Sequence, residues 1–197
     1  MTAFDIVREL INNNHGVIRT SDVMKAGLSR TTLSNLERKG LVERVARGQY
    51  ILADSFPDEL YLLQQRMSRL IFSHETALFL HNMAERTPDN YSATIPSNVR
   101  MSKGLSNYIK VYIIKPDLFK IGIVQLPTKI GHMVYSYDLE RTVCDILRSR
   151  NRIDDQTVVA AVKNYAIKKD KDLVKLGQYA TTFHVTKIIR QYFEVLL

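Results

Sequence analysis

Apolar positions near the N-terminus follow the three- and four-residue spacing of amphipathic helices. Phe4, Val7, Leu10 and Ile11 predict a first helix. The asparagine run and "HG" that follow should end it, because Asn and Gly tolerate the left-handed backbone found at helix C-termini. A second, shorter helix is predicted in "TSDVMKAG", with Thr20 or Ser21 as its N-cap and Gly27 as its end.

A third helix is predicted in "GLSRTTLSNLERKG", directly after a tight turn that contains glycine. Ser29 is expected to cap this helix, with Leu28 and Leu33 packed together across its first turn. Leu33 and Leu36 fall on one side of the helix. The opposite side has no acidic and no large apolar residue; it carries Arg30, Thr31, Ser34, Asn35 and Arg38.

Two short β-prone runs, "LVERV" and "QYIL", follow Gly40 and are joined by the turn "ARG". Three helices followed by a hairpin predict a winged helix-turn-helix domain. Arginine can donate two hydrogen bonds to guanine, Asn can pair with adenine, and Ser and Thr suit phosphates or bases. We therefore predict that this domain binds double-stranded DNA. The expected contact residues are Thr20, Ser29, Arg30, Thr31, Ser34, Asn35, Arg38, Arg44, Arg47 and Gln49.

The rest of the chain predicts a second domain of different composition. The linker "ADSFPDE" separates residues 1–55 from residues 56–197. Beyond it, "LYLLQQRMSRLIFSHETALFLHNM" reads as two helical segments, four β-rich stretches follow, and the last third is helical. The predicted fold class is α+β, with an N-terminal winged helix-turn-helix and then a mixed α/β domain that ends in a helical segment.

The charge of the chain strengthens the expectation of a polyanionic partner. The 197 residues include 45% hydrophobic and 24% charged residues, and the net charge is +8. A second polyanion surface is expected from a run of lysines, although such a run is more often a solvated face. No apolar run is long enough for a membrane span and no signal peptide is evident, which predicts a cytoplasmic protein. The lysines concerned are Lys163, Lys168, Lys169, Lys171 and Lys175.

Enzyme motifs are absent from the sequence, so no catalytic residue, metal ligand or cofactor is predicted. The single cysteine, Cys144, excludes an intramolecular disulfide and is expected to be a buried structural thiol. His74 and His81 lie seven residues apart rather than at metal-pair spacing, and are expected to pack or cap. A nucleotide-processing enzyme would instead require acidic residues converging on one cleft. The candidates are Glu75, Asp138, Glu140 and Asp145.

The stretches "GVIRTSDVMKAGLSRTTLSNLERKGLVERVARGQYIL", "SHETALFLHNM", "YDLERTVCDILRSR" and "LVKLGQYATTFHVTKIIRQYFEVL" together resemble the AbiEi family. These are bacterial antitoxins of type IV toxin–antitoxin systems, which act in abortive phage infection. The resemblance implies an N-terminal domain that binds inverted repeats in the promoter of its own operon and represses it. It also implies a C-terminal domain that neutralises a nucleotidyltransferase-like toxin without a stable complex.

Two features of this interpretation stay open at the level of sequence. Two neighbouring repeats would allow two molecules, each a monomer in solution, to bind side by side and bend the DNA between them. Alternatively, the winged helix is a protein-docking surface and the chain clamps the toxin directly, with no role in DNA binding.

Overall fold

The computed structural model describes residues 1–84, 86–101 and 109–196. The chain divides into two compact units, residues 1–62 and residues 63–197. Both units combine helices with strands, and the chain ends in a series of helices, so the predicted α+β class is confirmed. In the part of the chain that is described, no helix is both long enough and apolar enough to cross a membrane.

The first unit contains three helices and a small antiparallel sheet. Strand β3 lies in the middle of this sheet, paired with β1 on one side and β2 on the other. The elements in chain order are α1 (Ala3–Asn13), β1 (Ile18–Arg19), α2 (Thr20–Lys25), α3 (Arg30–Arg38), β2 (Val42–Ala46) and β3 (Gln49–Leu52). Its core consists of Val7, Ile11, Ile18, Val23, Leu33, Leu36, Val42 and Tyr50.

Glycines end the second and third helices, as predicted. Gly27 follows α2 with φ +81°, and Leu28 N–H donates back to the carbonyl of Val23 over 3.1 Å. Gly40 ends α3 in the same conformation, with φ +69°. The predicted caps of α2 were wrong: Arg19 is the N-cap, and its backbone N–H donates to Asp22 Oδ2 over 3.2 Å.

The second unit is built on a mixed five-stranded sheet in the order β6-β5-β4-β8-β7. Strand β4 is parallel to β8 and antiparallel to β5, β5 is parallel to β6, and β7 is antiparallel to β8. The strands are β4 (Ile71–Phe72), β5 (Tyr91–Pro96), β6 (Ile109–Ile114), β7 (Ile123–Pro127) and β8 (Met133–Tyr137).

Strand β4 corrects the sequence-based expectation, because it lies in a stretch predicted as two helical segments. The observed elements there are α4 (Glu59–Arg66), β4 and α5 (His74–Leu80). Periodicity cannot distinguish a two-residue strand that is buried on both faces from a buried helical segment. Ile71 and Phe72 are both buried, so the stretch shows no alternation that would mark it as a strand.

Helix α7 is the centre of the helical part of the second unit. Every residue from 139 to 147 is buried, and α5, α8, α9 and α10 all pack against this helix. Asp138 caps the N-terminus of this helix by accepting from Arg141 N–H over 2.9 Å, and Asp154 caps the next one by accepting from Thr157 N–H over 2.8 Å. The helices are α6 (Pro116–Phe119), α7 (Leu139–Arg148), α8 (Asp155–Ile167), α9 (Leu173–Thr182) and α10 (Thr186–Leu196).

Candidate nucleic-acid interface

Helix α3 presents a polar face to solvent and an apolar face to the core of the first unit. Leu33 and Leu36 are only 1% and 6% exposed, and their burial fixes the rotation of the helix about its axis. The five polar residues singled out on the other side are all exposed: Arg30, Thr31, Ser34, Asn35 and Arg38. The structure therefore brings these side chains onto one accessible surface, which we call the α3 face.

The first turn of α3 differs from the predicted capping arrangement. Ser29 is the N-cap, but its side chain does not accept from a backbone N–H. Its Oγ lies 2.6 Å from Thr31 Oγ1 and 3.2 Å from Thr32 Oγ1 instead. Backbone N–H groups at a helix N-terminus attract anions, and phosphates in particular. The exposed Ser29 and Thr31 hydroxyls lie beside this terminus.

The hairpin of β2 and β3 turns at Arg47 and Gly48, where Gly48 has φ +71°. The Gly48 carbonyl accepts from Thr20 N–H over 2.9 Å, so the turn is fastened to the start of α2. The Thr20 side chain is half-buried against the same carbonyl, at 3.5 Å. Thr20 thus positions the hairpin, whereas Arg44 and Arg47 are exposed on it.

Gln49 lies on the hairpin, as the sequence suggested, but its side chain is buried rather than exposed. It is the first residue of β3, the middle strand of the sheet, and is 6% exposed. Its Oε1 atom is buried and has no hydrogen-bond partner. The prediction that Gln49 contacts DNA is corrected, because a central strand buries side chains that an edge strand would leave at the surface.

Charge is distributed unevenly between the two units. Residues 1–62 contain eight Lys and Arg and eight Asp and Glu, whereas residues 63–197 contain twenty and twelve, respectively. The whole net charge of +8 therefore resides in the second unit. Within the first unit the basic residues are concentrated, since residues 19–50 contain seven basic and three acidic residues.

Three of the five lysines that were predicted to form a second polyanion surface contact other groups of the second unit. Lys175 Nζ lies 2.9 Å from Asp138 Oδ2 and 3.2 Å from Glu140 Oε2. Burial lowers the pKa of Lys175, but hydrogen bonding to Asp138 and the charge of that carboxylate outweigh this, and the pKa is raised. Lys171 donates to the Lys168 carbonyl over 2.9 Å, and Lys168 pairs with Asp170 at 3.7 Å. Only two of the five are exposed: Lys163 and Lys169.

The four acidic residues that could have marked an enzyme do not form a set of free carboxylates. Asp138 and Glu140 share Lys175, and the other two have separate cationic partners. Glu75 pairs with Lys110 at 2.8 Å, and Asp145 with Arg141 at 2.8 Å. Among the described residues, no group of three or more His, Cys, Asp or Glu side chains could hold a metal ion.

Arg141 is the residue of "DLERTVCDIL" that sequence reasoning missed. Its side chain is completely buried, and it donates from Nε to Asp145 Oδ2 and from Nη1 to the carbonyls of Leu118 and Ile121. The guanidinium also lies over the Phe183 ring, at 3.7 Å from the centroid. The sequence signal that could have revealed this ion pair was the spacing of an Arg and an Asp four residues apart on an apolar helix.

Next to this pair, burial raises the pKa of Cys144 to about 12, as expected for an unreactive structural thiol.

His74 was expected to be a packing residue, and its environment is unusual for one. It is fully buried and has a left-handed backbone with φ +51°, a conformation that costs a residue other than Gly about 1–3 kcal/mol. Its Nδ1 lies 2.9 Å from Ser73 Oγ and its Nε2 lies 3.0 Å from Ser149 Oγ. Burial, together with the charges of Arg148 and Lys110, lowers the pKa of His74 well below its ordinary value, so the ring is neutral.

The family comparison bears on the unit that carries the α3 face. Residues 5–53 match a family model described as "Transcriptional regulator, AbiEi antitoxin". The similarity to this family extends over residues 5–53, about a quarter of the chain. The predicted family resemblance is thereby confirmed for the N-terminal unit, and it indicates a regulator and antitoxin rather than an enzyme family.

The comparison with solved structures covers both units. The crystal structure of RV2827C protein from Mycobacterium tuberculosis is similar over 89% of this chain and 70% of that chain, with a TM-score of 0.64 and 15% sequence identity. At this identity the likeness concerns the fold alone. No curated protein sequence matches the chain.

Proposed function

We propose that this protein is a DNA-binding autorepressor that also acts as the antitoxin of a type IV, abortive-infection toxin–antitoxin system in the cytoplasm. The observation that carries the DNA-binding part is the α3 face, a set of five exposed polar residues that includes two arginines, together with the exposed Arg44 and Arg47 of the hairpin. The AbiEi regulator family of residues 5–53 supports the same assignment.

In this proposal the first unit works as a winged helix, with α3 in the major groove of the operator. Arg30, Asn35 and Arg38 would contact base edges, while the hydroxyls of Ser29, Thr31 and Ser34 would contact bases or phosphates. Arg44 and Arg47 would meet the adjacent DNA backbone. Thr20 would contribute by holding the turn at Gly48 rather than by touching DNA. Inverted repeats would recruit two monomers side by side.

The antitoxin part of the proposal rests on the second unit, residues 63–197, and on the family. We infer that this unit opposes a nucleotidyltransferase-like toxin. In the leading proposal it does so without a stable complex, and one observation favours the alternative of direct contact with the toxin. Large apolar side chains are exposed at the junction of α8 and α9, where Ile167 is 79%, Leu173 is 55% and Val174 is 73% exposed.

A gel-shift titration on the DNA upstream of the protein's own gene tests the DNA-binding part. The double variant Arg30→Ala/Arg38→Ala should lose roughly five- to 150-fold in affinity per arginine, because a bidentate arginine–guanine pair contributes about 1–3 kcal/mol. The matched control is Arg8→Ala/Arg66→Ala, which removes the same charge from two exposed positions outside the α3 face. Equal affinity of the two variants would refute the assignment of the α3 face.

The salt dependence of the same titration provides a second criterion. Contacts with phosphates release counterions, so the affinity of the wild-type protein should fall steeply between low and physiological salt. No shift on this DNA, combined with full protection of cells from the toxin, would favour the alternative in which the chain is a protein clamp. In that case, substituting Ile167 and Val174 with Ser should abolish protection.

A further inference from the structure

A polar cluster in the second unit has no part in the proposed DNA interface. It consists of Glu75 on α5, Lys110 and Tyr112 on β6, and Arg152 in the turn after α7, and we call it the Tyr112 cluster. Lys110 Nζ donates to Glu75 Oε1 over 2.8 Å and to the Arg152 carbonyl over 2.7 Å. The guanidinium of Arg152 lies 4.5 Å from the centroid of the Tyr112 ring.

Two polar atoms of the Tyr112 cluster are buried without a hydrogen-bond partner. They are the hydroxyl of Tyr112, a residue that is 4% exposed, and Oε2 of Glu75. Leaving such atoms unpaired is costly, and a ligand that reaches them can supply the missing partner. Lys110 and Glu75 keep 31% and 21% of their side chains exposed, so the cluster reaches the surface.

The Tyr112 ring is held in place by His74. The two rings are stacked with centroids 3.4 Å apart and an angle of 11° between their planes. His74 is itself fixed by Ser73 and Ser149, and its left-handed backbone shows that the fold enforces its position. Burial, followed by the charge of Glu75, raises the pKa of Tyr112, so its hydroxyl remains protonated and can donate.

The unpaired atoms define the chemistry of a matching ligand. Tyr112 O–H and the remaining ammonium hydrogen of Lys110 require acceptors, and Arg152 adds a second positive charge. Glu75 Oε2 can only accept when ionised, so the ligand must also donate. A monoprotonated phosphate monoester satisfies both demands, because it carries anionic oxygens and one P–OH group. A phosphodiester and sulfate have no such hydrogen at neutral pH.

We propose that the Tyr112 cluster is a binding site for a phosphate monoester, with Tyr112, Lys110 and Arg152 holding its oxygens and Glu75 accepting its P–OH hydrogen. The same chemistry is offered by free phosphate, by a mononucleotide and by the 5′-terminal phosphate of a nucleic acid. The cluster lies in the unit that carries the whole net positive charge of the chain, which favours approach of any of these anions.

Isothermal titration of the full-length protein with inorganic phosphate and with sulfate is the primary test. The wild-type protein should bind phosphate at least about tenfold more tightly than sulfate, since only phosphate pairs with Glu75. Tyr112→Phe should weaken phosphate binding without lowering the unfolding midpoint, because no hydrogen bond of 3.5 Å or less joins the hydroxyl to the fold and Lys110, its nearby cation, keeps its bonds to Glu75 and Arg152. Glu75→Gln should reduce the difference in affinity between phosphate and sulfate, because the Gln amide can donate a hydrogen bond to sulfate. Lys163→Gln, at an exposed lysine outside the cluster, is the charge control.

Two further arms distinguish the sources of the phosphate. In the first arm, the affinity for adenosine monophosphate is measured. In the second, the affinity for a 5′-phosphorylated oligonucleotide is compared with that for the same oligonucleotide with a 5′-hydroxyl. Both use the Arg30→Ala/Arg38→Ala protein. This background separates the result from DNA binding by the α3 face. The proposal would be overturned if the wild-type protein bound phosphate and sulfate with equal affinity, or if it bound neither. A Tyr112→Phe protein that unfolds more readily yet binds phosphate normally would also overturn it, since the hydroxyl would then be structural.

Discussion

Mild acid should destabilise the second unit, and His74 should account for much of the effect. The ring is fully buried, and burial and the neighbouring cations lower its pKa well below the ordinary value of 6.5. In the unfolded chain the same histidine takes up a proton near that ordinary value. The unfolded state therefore binds more protons at acid pH, and stability conferred by the neutral ring is lost as the pH falls below about 6.5.

The magnitude follows from linkage. Each pH unit below the unfolded pKa costs about 1.4 kcal/mol as long as the folded ring stays neutral. Between pH 7 and pH 5 the loss from one such histidine is about 2 kcal/mol, a large share of the stability of a typical domain. His81, which is partly buried and whose pKa is also lowered chiefly by burial, adds to the loss in the same direction.

Urea unfolding followed by tyrosine fluorescence measures this loss, because eight of the ten tyrosines lie in residues 63–197. His74→Asn is the informative variant, since Asn tolerates a left-handed backbone and does not titrate. It should be less stable at pH 7 but lose about 2 kcal/mol less than the wild-type protein on going to pH 5. His184→Asn is the matched control, at an exposed histidine with φ +58°. An unchanged pH dependence in His74→Asn would refute the reasoning.

Two more substitutions test buried polar groups. Arg141→Met should destabilise the protein by about 3–5 kcal/mol in urea unfolding, because the fully buried Asp145 loses its closest cationic partner and keeps only Arg148, at 3.3 Å. Arg141→Met/Asp145→Leu should recover most of that loss. Failure of the double variant to recover would show that the contacts of Arg141 with carbonyls matter more than the ion pair. Gln49→Met should keep operator affinity within about twofold in gel shifts. It should leave the stability unchanged or raise it by about 1 kcal/mol, because it removes a buried oxygen that has no hydrogen-bond partner. A marked loss of affinity would show that Gln49 contacts DNA after all.

Local features of the first unit were predictable because neighbouring residues determine them. Gly27 and Gly40 end their helices through their own backbone freedom, and Leu33 and Leu36 orient α3 through their spacing alone. The details of capping were less predictable. Ser29 had competing partners in the hydroxyls of Thr31 and Thr32, and the hydroxyl network replaced the backbone bond.

Features of the second unit that depend on distant partners could not be predicted from sequence patterns. Lys175 belongs to a lysine-rich stretch, yet it pairs with Asp138 and Glu140, more than thirty residues away. The stacking of His74 on Tyr112 depends on α5 and β6 being brought together by the sheet. Gln49 lies in a hairpin that the sequence shows, but its burial depends on β1 pairing with β3 to complete the sheet.

Under the proposed function, the separation of charge between the units predicts that the two units contribute differently to DNA binding. Residues 1–62 have no net charge, so this unit, as the proposed winged helix, would contribute base contacts and a few phosphate contacts but little long-range attraction. In the proposed complex, most of the long-range attraction to DNA would come from residues 63–197, which hold the excess of eight positive charges. Sequence preference and non-specific affinity are then set by different units. Loss of α3 contacts should erase the preference for the operator while leaving salt-dependent binding to unrelated DNA largely in place.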